Sequence, residues 1–190
     1  MSEFVGFGAG DKRMSKVKYK APKGYNEAMA YLRVANAQAA IDFYATAFGA
    51  KERYRLMMGN RVGHAELDFG ATCVMLSDEF PEMGVVGPKA LGGTTVTMCL
   101  GVEDADAVVA RAVAAGATLK RPVQDEFYGY RTGQVEDPYG HVWMVQTHIE
   151  DVSPKKMQKR LDAMMAQSPA QPAEKSAPSP TKSARRRSKK

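Results

Sequence analysis

Apolar and polar residues alternate in one stretch of the chain and then recur at helical spacing in the next. From Met29 to Val34 one set of alternate residues is apolar, which predicts a strand with one buried face. Asn36 is the predicted N-cap of a helix, and Gly49 ends that helix because glycine readily takes the left-handed conformation. The apolar positions of the helix are Ala40, Ile41, Tyr44, Ala47 and Phe48.

Three more stretches with strand character follow this helix, separated by short turns that contain glycine. The predicted strands are Glu52 to Met58, Val62 to Phe69 and Thr72 to Leu76. The order of elements is therefore βαβββ. A loop rich in glycine and proline, from Pro81 to Gly93, ends this unit.

A second copy of the unit follows the loop. Arg61 to Gly70 matches Arg131 to Gly140 at Arg, Gly, Glu, an aromatic residue and Gly, each pair 70 positions apart (61 and 131, 70 and 140). A repeat this long indicates two similar supersecondary units rather than a solenoid. The second unit is predicted as a strand at Thr94 to Val102, a helix at Asp104 to Ala115 ended by Gly116, strands at Thr118 to Gln124 and Gly129 to Val135, and a last strand after the Asp137-Pro138-Tyr139-Gly140 turn.

These two units predict one α+β domain over residues 25–150, with modules at about residues 29–79 and 94–149. Residues 1–24 show no sustained hydrophobic periodicity and are a predicted flexible lead-in. If translation starts at Met14, the first thirteen residues are not part of the protein. Ser153 as N-cap and Pro154 at the first helical position predict a C-terminal helix within residues 151–167. Residues 168–190 are rich in Pro, Ala, Ser and Lys and are predicted to be disordered.

Composition supports a soluble chain that can bury one core. The 190 residues are 44% hydrophobic, yet they contain no apolar run of roughly 18 residues and open on no basic and apolar leader. Cys73 and Cys99 have no CxxC spacing, so we expect buried thiols in a reducing compartment. These observations predict a cytoplasmic protein with no membrane partner.

The positive charge is confined to the end of the chain. The tail from Ser168 to Lys190 holds seven basic residues and one acidic residue, which accounts for the net charge of +6. Such a tail could bind nucleic acid weakly and without sequence specificity, because it has no aromatic residue to stack on bases. The alternative is a solubilising end with no partner.

Several motifs resemble those of a known superfamily. The tandem βαβββ order, the Ile41-Asp42-Phe43-Tyr44 run before Phe48-Gly49-Ala50 and the Asp137-Pro138-x-Gly140 turn resemble the vicinal oxygen chelate superfamily, the fold of glyoxalases, bleomycin-resistance proteins and extradiol dioxygenases. More narrowly, four stretches resemble its PhnB-like branch: Gly63 to Leu67, Phe127 to Gly129, Glu136 to Trp143 and Thr147 to Val152. The resemblance implies a cupped mixed β-sheet and a homodimer. It does not imply one activity, because this fold carries several.

The resemblance also implies where a divalent metal would bind. The family's four ligand positions fall on Met29, Thr97, Met144 and either Val74 or Met75. None of these side chains is a good ligand for a hard divalent ion. We therefore expect neither a metal nor another cofactor, and an apolar cup suited to a small organic molecule. Whether the chain is an enzyme stays open.

Nine residues are the predicted ligand-binding set. Met29, Tyr31, Thr97 and Met144 would line the floor of the cup, whereas His64, Glu66, Arg131 and His148 would orient polar groups and Tyr128 would lie near the mouth. Two alternatives remain for the polar members. His64, Glu66 and Asp68 share one strand face, which is also typical of a solvated surface paired with Arg33, and Arg131 could pair with Glu126 or Glu136.

A displaced metal site is the main rival hypothesis. His64 and Glu66 share a face, and a histidine from the other module, His148, could complete a ligand set. In that case the chain would be a metal-dependent enzyme of the glyoxalase or dioxygenase type. A third hypothesis is a dimeric scaffold whose basic tail binds nucleic acid.

Overall fold

The structure is a computed structural model that describes residues 21–167. The first module contains β1 (Tyr31–Val34), α1 (Ala37–Phe48), β2 (Lys51–Met58), β3 (Arg61–Phe69) and β4 (Thr72–Asp78). Both ends of α1 form as predicted. The Asn36 side chain accepts a 3.0 Å hydrogen bond from the backbone N–H of Ala39, and Gly49 has a φ of 71°.

The second module repeats this order after a linker. The linker was predicted as a loop but contains a short 3₁₀ turn (Pro81–Met83) and the short helix α2 (Pro88–Leu91). Asp104 caps α3, accepting a 2.9 Å hydrogen bond from the backbone N–H of Ala107. The elements that follow the linker are β5 (Thr97–Gly101), α3 (Ala105–Ala114), β6 (Thr118–Asp125), β7 (Tyr130–Glu136) and β8 (Val142–His148).

Each module forms its own four-stranded mixed sheet. The strand orders are β1-β4-β3-β2 and β5-β8-β7-β6, and in both sheets the first pair is parallel and the others are antiparallel. This confirms the α+β fold of two tandem βαβββ modules. The register places Met75 beside both Tyr31 and Glu66, and Met144 beside Cys99.

The helix-facing sides of the two sheets share one core. Trp143 of β8 is 1% exposed and its ring lies 4.8 Å from that of Phe48 in α1 and 5.4 Å from that of Phe69 in β3. The helices α1 and α3 contact each other between the sheets. Aromatic burial of this kind supplies much of the apolar area that stabilises a domain of this size.

Because successive side chains on a strand point to opposite faces, the other side of each sheet points away from this core. We call these sides the outer face of the first sheet, which carries Tyr31, Arg33, Tyr54, His64, Glu66 and Met75, and the outer face of the second sheet, which carries Thr97, Cys99, Met144, Gln146 and His148. Because the inner sides of both sheets pack on one core, we infer that the two outer faces lie on different sides of residues 21–167.

One buried carboxylate joins the modules. Asp137, in the turn before β8, accepts hydrogen bonds at Oδ1 from the backbone N–H groups of Tyr139 and His141, both at 2.9 Å. Its Oδ2 accepts from the Tyr44 hydroxyl at 2.7 Å and from the Trp143 indole N–H at 2.9 Å. Burial raises the pKa of Tyr44 well above its usual range, and the neighbouring Asp137 charge acts in the same direction.

The described residues from Val152 to Gln167 belong to a separate compact unit. Its helix α4 (Pro154–Gln167) begins as predicted, with the Ser153 hydroxyl accepting a 3.4 Å hydrogen bond from the backbone N–H of Lys156. The predicted basic tail at residues 168–190 lies outside the described residues, as does most of the predicted lead-in. Among residues 21–167, no helix has the length and apolar character needed to cross a membrane.

The two cysteines differ in environment. Cys73 is fully buried, as expected, but Cys99 is exposed, so the expectation of a second buried thiol was wrong. The reason is its position on β5, a strand at the edge of its sheet, where no residue between 21 and 167 covers the outer face.

Candidate ligand site on the outer face of the first sheet

The outer face of the first sheet gathers polar and aromatic side chains from three of its four strands. Tyr31 and Arg33 come from β1, Tyr54 from β2, and His64 and Glu66 from β3. The two-residue period of a strand places each pair on one side. The strand order then brings these side chains next to each other across Met75 of β4.

Glu66 is the centre of this group. The residue is only 4% exposed, and its Oε1 accepts hydrogen bonds from the Tyr54 hydroxyl at 2.6 Å and from His64 Nε2 at 3.3 Å. Its Oε2 accepts from the Tyr25 hydroxyl at 2.7 Å and lies 3.6 Å from a guanidinium nitrogen of Arg53. Burial alone would raise the pKa of Glu66, but the hydrogen bonds outweigh it and hold the pKa at about 2.

Arg53 ties the segment before β1 to this group. Its guanidinium donates 2.7 Å and 2.6 Å hydrogen bonds to Asp68 Oδ1 and to the backbone oxygen of Gly24, and it lies 4.8 Å from the centre of the Tyr25 ring. The hydrogen bond to Asp68 raises the pKa of Arg53. The hydrogen bond to Glu66 raises the pKa of Tyr54 to about 12. The group is therefore held in one arrangement by charge-assisted bonds.

His64 links Glu66 to Tyr31. The Tyr31 hydroxyl lies 2.8 Å from His64 Nδ1. An ionised carboxylate can only accept, so His64 Nε2 donates to Glu66; Nδ1 of the neutral ring then accepts, and Tyr31 is the donor. The ring of Tyr31 is covered by the Arg33 guanidinium at 3.8 Å, and Arg33 donates a 2.5 Å hydrogen bond to Ser77 Oγ.

A cavity of about 570 Å³ lies beside Tyr31 and Arg33. Its other walls are His141 and the linker residues between Val86 and Thr95. Among residues 21–167, Arg33 forms no ion pair with a carboxylate, so its charge is available to a molecule in the cavity. A guanidinium that faces a cavity of this size suits a planar anionic group such as a carboxylate.

The outer face of the second sheet is a different surface. It carries the predicted residues Thr97, Met144 and His148, together with the exposed Cys99. His148 is half-exposed at its side chain, and its Nε2 lies 3.2 Å from Asp151 Oδ1. Among residues 21–167, no hydrogen bond, ion pair or ring contact joins Met144 or His148 to Tyr31 or His64.

Arg131 was predicted to orient a ligand, but the structure places it elsewhere. It shares a strand face with the fully buried Val135, so it lies on the helix-facing side of β7. Its guanidinium donates hydrogen bonds of 2.6 Å and 2.8 Å to Asp106 and of 2.7 Å to Asp125. The expected partners Glu126 and Glu136 are not the ones it meets. These bonds, with Asp106 first, raise the pKa of Arg131.

The remaining predicted residues lie near the two faces. Met29 is half-buried just before β1, and Tyr128 lies in the turn before β7 with its ring 6.0 Å from that of Tyr130. The choice between Val74 and Met75 is decided by burial. Val74 is 3% exposed on the helix side, and Met75 is on the outer face.

The outer faces do not match a displaced metal site. Both ring nitrogens of His64 and both carboxylate oxygens of Glu66 already have protein partners. Across residues 21–167, no group of three or more His, Cys, Asp or Glu side chains is arranged to hold a metal ion. His64 and His148, which the hypothesis needs together, lie on different outer faces.

Sequence reasoning missed Tyr25, Arg53 and Tyr54. Tyr54 could have been found, because it alternates with Leu56 on a strand predicted next to the one that carries Glu66. The roles of Tyr25 and Arg53 depend on how the chain before β1 folds back over β2, and no local pattern encodes that contact.

Both modules are similar to known proteins. The family model described as Glyoxalase/Bleomycin resistance protein/Dioxygenase superfamily matches residues 25–145, which span both modules. An uncharacterized protein of Mycobacterium bovis is 38% identical over 137 residues, covering 70% of this chain and 90% of that protein.

Two solved structures are similar in fold and sequence. A gene product of Arabidopsis thaliana is 30% identical with a TM-score of 0.52, covering 64% of this chain and 98% of its own. TioX from Micromonospora sp. ML1 is 26% identical with a TM-score of 0.52, covering 67% of this chain and 100% of its own.

Proposed function

The chain belongs to the Glyoxalase/Bleomycin resistance protein/Dioxygenase superfamily, and from this premise we propose that it binds a small organic acid on the outer face of the first sheet without a resident metal ion. The observation that carries this proposal is the cavity of about 570 Å³ beside Tyr31 and Arg33, where the guanidinium has no carboxylate partner among residues 21–167. The volume is within the range of small-molecule sites in proteins.

The chemistry of the cavity defines the ligand class. Arg33 offers a planar fork that matches a carboxylate, and Tyr31 offers a flat ring and a hydroxyl group at its edge. The polar group around Glu66 holds Tyr31 in place through His64, so little order has to be gained on binding. The ligand is therefore a small molecule with an anionic group, an apolar or aromatic body and an oxygen within reach of Tyr31.

A homodimer is the second part of the proposal. The first sheet exposes Leu56 and Met58 at 59% and 54%, and the second sheet exposes Cys99 next to Met144. Since both sheets pack on one shared core, we infer that these surfaces point away from each other in one chain, and that a single cup lined by Tyr31 and Met144 requires two chains. We propose that the second sheet of a partner covers the outer face of the first, which keeps Met29, Thr97, Tyr128 and His148 as candidate lining residues.

The finer assignments stay with the proposal. The motifs around Gly63 to Leu67 and Glu136 to Trp143 support the PhnB-like branch, and two free cysteines support a reducing, cytoplasmic location. Nucleic-acid binding by the basic tail stays a prediction, because residues 168–190 lie outside the described part of the chain. A displaced metal site is disfavoured because the nitrogens of His64 and the oxygens of Glu66 are already hydrogen-bonded.

A melting screen of the full-length protein tests the ligand class. The protein is heated with a panel of aliphatic and aromatic carboxylates, matched amides, and the divalent ions Zn²⁺, Ni²⁺, Mn²⁺ and Fe²⁺. We expect stabilisation by some carboxylates and by none of their amides, worth about 2.7 kcal/mol at a hundredfold excess over Kd. Stabilisation by a divalent ion alone, lost in His64→Gln, would instead support the metal-dependent enzyme.

A further inference from the structure

Three side chains on the outer face of the first sheet form an unbroken line of hydrogen bonds. The Tyr31 hydroxyl donates to His64 Nδ1 at 2.8 Å, and His64 Nε2 donates to Glu66 Oε1 at 3.3 Å. In the single chain, the line runs from a phenol on a residue that is 37% exposed to a carboxylate on a residue that is 4% exposed. A hydroxyl, an imidazole and a carboxylate in this order are the parts of a device that moves a proton to and from the hydroxyl.

We propose that Tyr31 exchanges a proton with the bound ligand as a catalytic acid–base residue. His64 accepts the proton of Tyr31, and Glu66 is a positioning residue. The inference rests on the proposed ligand site for its substrate, because the cavity brings the ligand to Tyr31. The substrate class is a small organic acid whose anionic group meets Arg33 and whose acidic O–H or C–H group meets the Tyr31 oxygen.

The proton transfer balances without any further reactant. The O–H bond of Tyr31 breaks and an N–H bond forms at His64 Nδ1, which leaves a phenolate and an imidazolium. The imidazolium stays beside the Glu66 carboxylate, and the phenolate lies beside the Arg33 guanidinium, so both new charges have a partner of opposite sign. The phenolate then takes a proton from the ligand and becomes a phenol again. The phenol returns a proton to another position of the ligand, and the imidazolium finally returns its proton to the Tyr31 oxygen.

Glu66 acts through His64 and not on the ligand. Its carboxylate accepts the Nε2 proton, which leaves Nδ1 as the basic nitrogen that faces Tyr31. Tyr25, Tyr54 and Arg53 hold the carboxylate from the other side. The titratable and charged groups that face His64, directly or across Glu66, are Tyr31 and Arg33 of β1, Arg53 and Tyr54 of β2, Glu66 and Asp68 of β3, Cys73 of β4, and Tyr25.

The second module provides an internal comparison. Tyr130 packs on His148 with ring centroids 5.1 Å apart, and His148 Nε2 lies 3.2 Å from Asp151. In the described part of the chain, however, no hydrogen bond joins the Tyr130 hydroxyl to the His148 ring. The same residue types therefore occur in both modules, and only the first module connects them into a relay.

The ester p-nitrophenyl acetate is a probe that needs no knowledge of the ligand. The Tyr31 oxygen forms a bond to the acetyl carbon, p-nitrophenolate leaves with the electron pair of the broken C–O bond, and the phenol proton passes to His64 and then to water. Peptide mass spectrometry of the full-length protein, sampled over time, gives the acetylation rate of each tyrosine. Tyr128 is the internal standard, and Arg61→Gln is a control substitution away from the relay.

We expect Tyr31 to be acetylated faster than Tyr128, and His64→Gln to slow Tyr31 alone, on the order of 10²-fold. Glu66→Gln should also slow Tyr31 and displace the pH profile, which a purely structural role would not do. In the wild-type protein the Tyr31 rate should follow the titration of His64 measured on the same samples by ring-proton NMR, a readout independent of any variant's folding. Equal rates for Tyr31 and Tyr128, or an unchanged Tyr31 rate in His64→Gln, would overturn the relay and leave carboxylate binding at Arg33 intact.

Discussion

The hydroxyl of Tyr44, on the helix of the first module, donates a 2.7 Å hydrogen bond to Oδ2 of Asp137, in the turn of the second module. Asp137 is 2% exposed and its other hydrogen bonds come from its own module. The bond therefore joins two units that form separate sheets. It also orients the turn whose His141 donates to the backbone oxygen of Arg33 at 3.0 Å, at the wall of the cavity.

Removing this bond should destabilise the domain. In Tyr44→Phe the ring stays and one acceptor site of Asp137 loses its donor, so we expect the free energy of unfolding to fall by about 1–3 kcal/mol. Tyr139→Phe is the matched control. Its ring belongs to the same aromatic cluster, but its hydroxyl makes no hydrogen bond among the described residues, so the change should stay within about 0.5 kcal/mol. Urea denaturation measures both, and equal losses would show that the Asp137 bond is unimportant.

The buried Glu66 carboxyl predicts an acid-sensitive fold. A carboxyl with a lower pKa in the folded than in the unfolded chain stabilises the fold when ionised. With a folded pKa of about 2 and a usual value of 4.5, this contribution is complete above about pH 4.5 and is lost as the pH falls towards 2. Urea denaturation between these pH values should show a steeper loss of stability for the wild type than for Glu66→Gln. Parallel profiles would contradict the assigned cause.

The same contact predicts an unusual tyrosine titration. The hydrogen bond to Glu66 raises the pKa of Tyr54 to about 12, above its usual value of 10.0. Burial also raises the pKa of Tyr44, so more than one tyrosine should ionise late. In a spectrophotometric titration of tyrosinate absorbance, Tyr54→Phe should lose the component near pH 12 that Tyr54 contributes. Glu66→Gln should shift that component to lower pH, because an amide does not repel the phenolate.

Much of the fold was predictable because it is encoded locally. The Asn36 and Asp104 caps, the Gly49 helix end and the alternation along β3 each depend on residues that are neighbours in sequence. The 70-residue repeat then extended the first module to the second. The side of the sheet on which Arg131 lies was also predictable from strand alternation. Arg131 shares a face with Gly133 and Val135, and Val135 is buried.

The rest of the site depends on contacts that local patterns do not encode. The outer faces diverge because α1 packs against α3. Arg131 pairs with Asp106, which lies on a different element. The cover of Glu66 by Tyr25 joins residues 41 positions apart. The residue types at the site were visible in the sequence, but their grouping into two separate surfaces was not.

Divergent outer faces predict that the cup forms only between chains. Leu56→Glu places a charge on the exposed edge of the first sheet and should yield a chain with the sedimentation mass of a monomer. Met83→Glu is the control, because Met83 is 66% exposed in the linker and away from that face. We expect the wild type and this control to sediment as dimers. A wild-type mass of one chain would remove the dimer from the account.

Binding of a carboxylate at Arg33 is the central claim. The most direct measurement is calorimetric titration of the wild type, Arg33→Gln and Arg131→Gln with a carboxylate that stabilises the protein in the melting screen. Arg33→Gln should weaken binding by about 2–5 kcal/mol, because the anion loses its bidentate partner in the cavity. Arg131→Gln should bind as the wild type does, because Arg131 is held by Asp106 and Asp125 on the other side of its sheet. Unchanged affinity in Arg33→Gln, or a loss confined to Arg131→Gln, would contradict the proposed site.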